Sequence, residues 1–444
     1  MTQTAEKGKK ARTSARHWTK SATKVRGLVR DMYTRAFLEG KPVAWVMYSM
    51  INEIFVALDV IPVYPENFGA LCAVKRVTEP FMTRAEADGF SKVTCSYARI
   101  GLGYTALWQD TGEIPSFAPD SGMFKPVMLI GSSLACDTRF KWFQAFQRYV
   151  DAPHYSFDNP IPPLDKASLP EVRRQYMKYT VAQLKGLVEF MEGILGKKMD
   201  WDRLDEIVRL GQKTYGLWHR AFMAAGTAVP CPMPAEDAFN NFVPAFFLMG
   251  REEAVDFYQG LVDEIEEKIR NREGTIPVEK HRLIWGGGLP PWHSMEMFNY
   301  VQEQGAVFVF QSVYLPIPEV DIPDRVTHPL ERLAYALFEN AALRAEQDRS
   351  LGLSGLCNFV GLGNPLLYID ACKADGIVMH WLRSCRGTTI GQIYNRNLIA
   401  ERSDVPTLLL ESDMCDVNSF SEAVWKTKLN AFFESLEARK TGGP

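Results

Sequence analysis

The chain has 444 residues, 46% hydrophobic and 23% charged, and its 50 Lys and Arg against 53 Asp and Glu leave a formal net charge of −3. That length suits two or three domains, and the balanced charge excludes bulk attraction to nucleic acid or to an anionic membrane surface. The longest apolar runs are of strand size, below the roughly 18 residues of a membrane span, and the eight cysteines are scattered without a CxxC pair, which argues against a zinc ribbon, a ferredoxin-type run or a disulfide framework.

The basic N-terminal stretch, MTQTAEKGKKARTSARHWTKSATKVRG, has no apolar h-region and is not a secretory signal. It reads as a frayed arm packing on a partner, with a transit peptide as the weaker reading. Residues 23–40 follow as a helix, with Val25, Leu28, Val29, Met32 and Tyr33 on one face and Gly40 as its stop. KPVAWVMY (41–48) reads as a buried strand, 49–58 as a helix and 59–64 as the next strand, so the chain opens βαβ. Glu66, in the run YPEN, stands at that strand's carboxyl end. A short helix is expected over 83–89. Cys95 lies at or just before the start of another helical segment, in which Gly101 and Gly103 permit a flexible or closely packed backbone.

The stretch KPVMLIGSSLACDTRFKWFQAFQRYV (125–150) organises this half. Its apolar run over 127–130 has strand length, and Gly131, Ser132 and Ser133 break it. Cys136 and Asp137 come next, then a helical pattern with Phe140, Phe143, Phe146 and Tyr149 at three-residue steps. Strand, turn and helix make half of a βαβ unit. Open α/β sheets place ligands at the carboxyl ends of strands, and a helix N-terminus favours thiolate.

From 151 to 169 the composition shifts, and Pro160, Pro162 and Pro163 mark a linker. Residues 170–226 are almost continuously helical, with Asp200 as the N-cap of the second run. Prolines at 230, 232 and 234 break the chain, and a further helix covers 252–271. At His281 the βα rhythm returns, with strands over 282–285, 307–310, 376–381 and 406–410. Helices are expected over 294–304, 332–349, 391–400 and 421–438. The glycines at 286–288 lack the Walker lysine and the GxGxxG spacing, so they read as a tight turn lining a cleft. His380 sits on a strand ending near Cys385, where a core histidine and a proton donor are both open readings. The segments are therefore an arm and helix (1–40), an α/β domain (41–155), a helical domain (156–275) and a second α/β domain (276–444).

Cys95, Cys136 and Cys385 each stand beside a strand end or a helix start. If the two sheets face each other, the three thiols meet in the cleft, where soft thiolates select iron–sulfur clusters or zinc. From spacing alone, three unrelated core thiols are the favoured reading.

Five pieces in order resemble the benzoyl-CoA reductase/2-hydroxyacyl-CoA dehydratase family: YSMINEIFVALDVIPVYPEN, TCSYARIGLG, GSSLACDTRFKWF, DGIVMHWLRSCRGTTIGQ and PTLLLESDMCDVNSFSEAVWKTKLNAFFESL. They span both α/β halves, so the resemblance covers nearly the whole chain. Length, N-terminal arm and the YPEN stretch are most similar to the larger cluster-carrying subunit of ATP-dependent (class I) benzoyl-CoA reductases. The resemblance implies two Rossmann/flavodoxin-like parallel-sheet domains facing across a cleft, with a helical middle domain. It implies Cys95, Cys136 and Cys385 as ligands of a 4Fe-4S cluster with one open iron, and benzoyl-CoA as the substrate, reduced to a cyclic dienoyl-CoA. Implied partners are a smaller homologous cluster-carrying subunit, ATP-hydrolysing activator subunits with a further 4Fe-4S cluster, and ferredoxin as the indirect electron donor, all cytoplasmic. In the dehydratase branch the same chemistry would expel the hydroxyl of a 2-hydroxyacyl-CoA. Ser49, Glu66 and His380 are the candidate catalytic residues, with Glu53 beside them, because a carboxyl group in a dry cleft has a raised pKa and acts as an acid. A helix cap at Ser49 and a turn acid at Glu66 are the plainer readings. Cys415 stands where an aliphatic residue is common in the family and reads as structural. A cluster-free scaffold subunit and a plain acyl-CoA-binding protein are the alternatives of other classes.

Overall fold

The structure is a computed structural model that describes residues 15–48, 51–133, 136–160, 162, 166–316, 318–351 and 364–442. It opens with α1 (Lys20–Leu38), β1 (Val43–Val46), α2 (Asn52–Ala57) and β2 (Ile61–Val63). Three helices follow, α3 (Pro65–Val74), α4 (Glu79–Ala87) and α5 (Ser96–Thr111), then β3 (Met128–Ser132), α6 (Asp137–Phe146) and β4 (His154–Phe157). The middle is helical: α7 (Pro170–Leu195), α8 (Trp201–Thr227), α9 (Ala235–Asn241), α10 (Val243–Phe247) and α11 (Glu252–Arg270). The second half holds β5 (His281–Gly286), α12 (Glu296–Glu303), β6 (Ala306–Gln311), α13 (Pro329–Ser350) and α14 (Ile369–Cys372). It ends with β7 (Gly376–Leu382), α15 (Arg386–Thr389), α16 (Gln392–Arg402), β8 (Thr407–Ser412) and α17 (Glu422–Lys440).

The strands form two parallel four-stranded sheets, β2-β1-β3-β4 and β6-β5-β7-β8. Both have the same internal order, second-first-third-fourth, so each reverses direction of winding between its first and third strands. Their central strands are apolar runs because helices cover both faces of a parallel sheet; Trp45 in β1 and Trp285 in β5 are at most 1% exposed. Each buried indole N–H finds a carbonyl, Phe124 at 2.8 Å and Gly288 at 2.9 Å. Pro62, which cannot donate to a ladder, sits on the edge strand β2. The α/β fold with two parallel sheets is thus as the sequence predicts.

Several expectations change. Residues 154–157, read as linker, are the edge strand β4, paired through Leu129 with His154 and Ser132 with Phe157. Gly131 and Ser132 do not break the strand before them; they are its last two residues. The buried face of α6 is Arg139, Trp142, Phe143 and Phe146, a spacing of three, four and seven, rather than the three-residue ladder from Phe140. The described end of the N-terminal arm packs on its own chain: the N–H groups of Trp18 and Thr19 donate to the buried Asp237, at 2.8 and 2.6 Å. Helices α9 and α10 follow the proline cluster where no element was expected.

The helix α8 ties the two halves together. Its N-cap is Asp200, which accepts from the Arg203 N–H at 3.0 Å as expected. Gly211 makes room for the Glu53 carboxyl of α2, where a Cβ would stand 2.6 Å from Oε1, and Gly226 makes room for Phe310 of β6. Gly101 and Gly103 of α5 serve close packing: a Cβ on Gly103 would lie 1.7 Å from the Phe81 carbonyl oxygen in α4. Gly287 turns at a φ of +81°, and the 286–288 turn folds back on the His380 backbone. Among the described residues, no helix is long and apolar enough to cross a membrane.

Candidate functional site

Three cysteines occupy the same local position. Cys95 is the N-cap of α5, Cys136 of α6 and Cys385 of α15, and none of the three uses its side chain to cap. Two of these helices begin straight after the third strand of each sheet, at the point where the winding reverses and ligands gather. These three residues are partly exposed, whereas Cys72, Cys231, Cys372 and Cys415 are buried; Cys357 lies outside the described residues.

All three thiols line one cavity at the junction of both α/β halves and the helical middle. Counted out to its mouth, the space is about 1800 Å³. Its walls are largely apolar and aromatic: Tyr48, Tyr97, Tyr215, Trp218, Tyr314 and Phe338 contribute, with Leu333 and Leu337 of α13. Burial raises the Cys95 thiol well above its ordinary range, and the neighbouring Cys385 and Cys136 raise it further. Cys385 is likewise raised by burial first and by Cys136, with Thr388 pulling the other way. The thiols therefore feel one another's charge, an arrangement that a cation-bearing group relieves. Among the described residues, no group of three His, Cys, Asp or Glu side chains suits a single metal ion. Three soft donors lining one largely apolar cavity could instead hold a wider polynuclear group.

The predicted acids fare differently. Glu66 begins α3 and is 6% exposed. It accepts the Tyr48 N–H at 2.9 Å and two bonds from Arg139, from Nε at 3.0 Å and Nη2 at 2.7 Å. The guanidinium of Arg139 is opposed by burial, yet Glu66 and Cys136 more than offset this and raise its pKa. Glu66 is thus an acceptor in a buried ion pair on the cavity wall, three donors already spent on it. Glu53 also lines the cavity, is 4% exposed, and has its pKa raised to about 7 by burial. His380 does not reach the cavity. Its Nδ1 donates to the Leu289 carbonyl at 2.5 Å and its Nε2 accepts from the Ser412 hydroxyl at 2.7 Å, a tautomer set by the carbonyl, which can only accept. Burial lowers its pKa to about 4, so it is a neutral core histidine. Ser49 lies outside the described residues. Cys415 is fully buried with its sulfur 3.5 Å from the Gly69 carbonyl, behind the wall rather than in it. Arg139 was missed in the sequence, although a lone arginine three residues after Cys136, on the apolar face of α6, is the signal that marks it.

The family model of the 2-hydroxyglutaryl-CoA dehydratase D-component matches residues 48–436. The chain belongs to this family. Three relatives are each 25% identical to this chain. The (R)-phenyllactyl-CoA dehydratase alpha subunit of Clostridium sporogenes aligns over 90% of this chain and 91% of its own length. The (R)-2-hydroxyisocaproyl-CoA dehydratase alpha subunit of Clostridioides difficile aligns over 94% and 96%. A subunit of the benzoyl-CoA reductase of Thauera aromatica aligns over 90% of each chain. By their names these relatives are subunits of enzymes acting on CoA thioesters, and they divide between dehydratases and a reductase at equal identity.

Proposed function

We propose that this chain is the iron–sulfur catalytic subunit of an ATP-dependent benzoyl-CoA reductase, with Cys95, Cys136 and Cys385 holding a 4Fe-4S cluster. The observation that carries the reading is the convergence of three partly exposed cysteines, from both α/β halves, on one aromatic-walled cavity. The donor set suits such a group: three soft sulfur donors line one largely apolar wall, with Cys95 and Cys385 raised by burial first and then by the neighbouring thiols. When bound, such a cluster supplies low-potential electrons one at a time to an acyl thioester.

The chain's own residues would do the rest. The aromatic rings of the cavity would stack on the acyl ring and exclude water. Glu53, poised near pH 7, would hold a proton and release it toward the ring as charge builds there. Two electrons and two protons added to benzoyl-CoA give the cyclic dienoyl-CoA. Glu66 and Arg139 would fix the wall between Cys136 and Tyr48. The partners of this reading are a smaller homologous cluster subunit and ATP-hydrolysing activators supplied indirectly by ferredoxin, in the cytoplasm.

A second reading, a 2-hydroxyacyl-CoA dehydratase subunit, draws on the dehydratase alpha subunits among the relatives. Anaerobic assays of the full complex with reductant and ATP separate the two. Benzoyl-CoA loss with ATP consumed in step supports the reductase; elimination from an (R)-2-hydroxyacyl-CoA with ATP needed only to start supports the dehydratase. Replacing Cys95, Cys136 or Cys385 by Ala should each remove most of the iron, and full iron in all three variants would end the ligand assignment.

A further inference from the structure

Asp413 follows the end of β8, beside the cavity but not in its wall, and is 1% exposed. Its Oδ2 accepts the Ser384 N–H at 3.2 Å and also the Ser384 hydroxyl. Its Oδ1 accepts the N–H groups of Cys415 at 2.9 Å and Asp416 at 3.0 Å. The Ser384 oxygen in turn accepts the N–H of Ser96 at 3.1 Å. Ser96 is the first residue of α5, and Ser384 immediately precedes Cys385.

A helix start leaves its first N–H groups without partners, and the N-cap side chain ordinarily satisfies one of them. Here the N-cap is Cys95, which does not cap. The N–H of Ser96, the first of these donors, is met from the other α/β half, 288 positions along the chain. The bond ties the Cys95 helix start to the residue before Cys385, while Cys95 itself lines the cavity. Ser96, Ser384 and Asp413 are each at most 6% exposed, so water cannot replace a lost partner.

Resting on the cluster reading above, we propose that Asp413 and Ser384 form a brace that locks the helix starts carrying Cys95 and Cys385 together, and so governs both the retention and the potential of the group these thiols hold. Asp413 is a positioning residue in this account, acting through Ser384. Burial opposes its charge, and the hydrogen bonds from Ser384, Cys415 N–H and Asp416 N–H more than offset that, holding the carboxyl below its ordinary value. Its carboxylate lies one hydrogen bond from the residue before Cys385, so the charge stands beside the site. A fixed anion beside a redox group favours its oxidised form.

The test compares wild type with Ser384→Ala and Asp413→Asn in the full chain. Amide exchange at Ser96, read on metal-free protein, should be about tenfold faster in Ser384→Ala, the effect of one lost buried hydrogen bond. After anaerobic reconstitution, Ser384→Ala should lose iron to a chelator several-fold faster than wild type. Asp413→Asn should raise the midpoint potential by an amount worth about tenfold in reduced fraction, ~59 mV for one electron. Wild-type values for exchange, iron loss and potential in folded variants would overturn the brace. If Asp413→Asn does not fold, Ser384→Ala decides alone. A wild-type chain that takes up no iron sinks the cluster reading instead, and the exchange measurement then still decides whether the brace exists.

Discussion

Glu53 is a carboxyl group that α2 and α8 hold out of water, and its proton affinity follows from that. Burial lifts its pKa from 4.5 to about 7. Between these values the unfolded chain ionises while the native one keeps its proton, so native stability falls as pH rises through the window. Above about pH 7 the whole loss, about 3 kcal/mol, remains. Glu53→Gln should therefore melt higher than wild type at pH 8, with the difference closing toward pH 4.5; parallel melting curves across that range would refute the shift. Glu66 and Arg139 form the opposite case, two buried charges that need each other. Arg139→Met should cost about 3–5 kcal/mol, because it strands a carboxylate in the wall. The double variant with Glu66→Gln should recover much of this in urea unfolding; equal losses would show the pair is not coupled. Cys136 and Cys385 could be picked out from the sequence because a thiol after a strand and before a helix has a fixed place in an α/β sheet, and Cys95 because it stands at a helix start. The Arg139 pairing could not, since its partner lies 73 positions away and only folding brings them together.

At the scale of elements, α5 shows how backbone proximity is written in glycine. Gly103 lets α5 touch the α4 carbonyl at Phe81, and Gly101 makes room for Trp142 of α6. Gly103→Ala should cost about 1–3 kcal/mol or more, since backbone cannot yield as a side chain does. Gly27 in α1, where a Cβ would meet nothing within 4 Å, is the contrast. There an alanine should add about 0.5–1 kcal/mol, as the helix sheds an entropic penalty. Thermal melts of the two variants should move in opposite directions. The strands of both sheet centres were readable because burial on both faces makes them unbroken apolar runs. β4 was not, because an edge strand of four residues with three half-exposed positions, set against a proline cluster, carries the composition of a linker. The face of α6 was misread for a related reason: a three-residue aromatic step drifts around a helix of 3.6 residues per turn.

Over the whole molecule, the two sheets repeat one strand order, and their helices bury a single continuous core that includes residues of every region. The fold class was legible because alternating strand and helix patterns leave few topologies. The cavity was legible only as a possibility, since its walls are drawn from segments that no local pattern connects. On the proposed ligand set, two sulfurs come from the first half and one from the second, with 290 positions between Cys95 and Cys385. A ribosome making this chain would expose the first two thiols long before the third emerged. Iron delivery would then have to wait for synthesis to be nearly complete, and a nascent chain stalled before Cys385 would have no competent place to receive it.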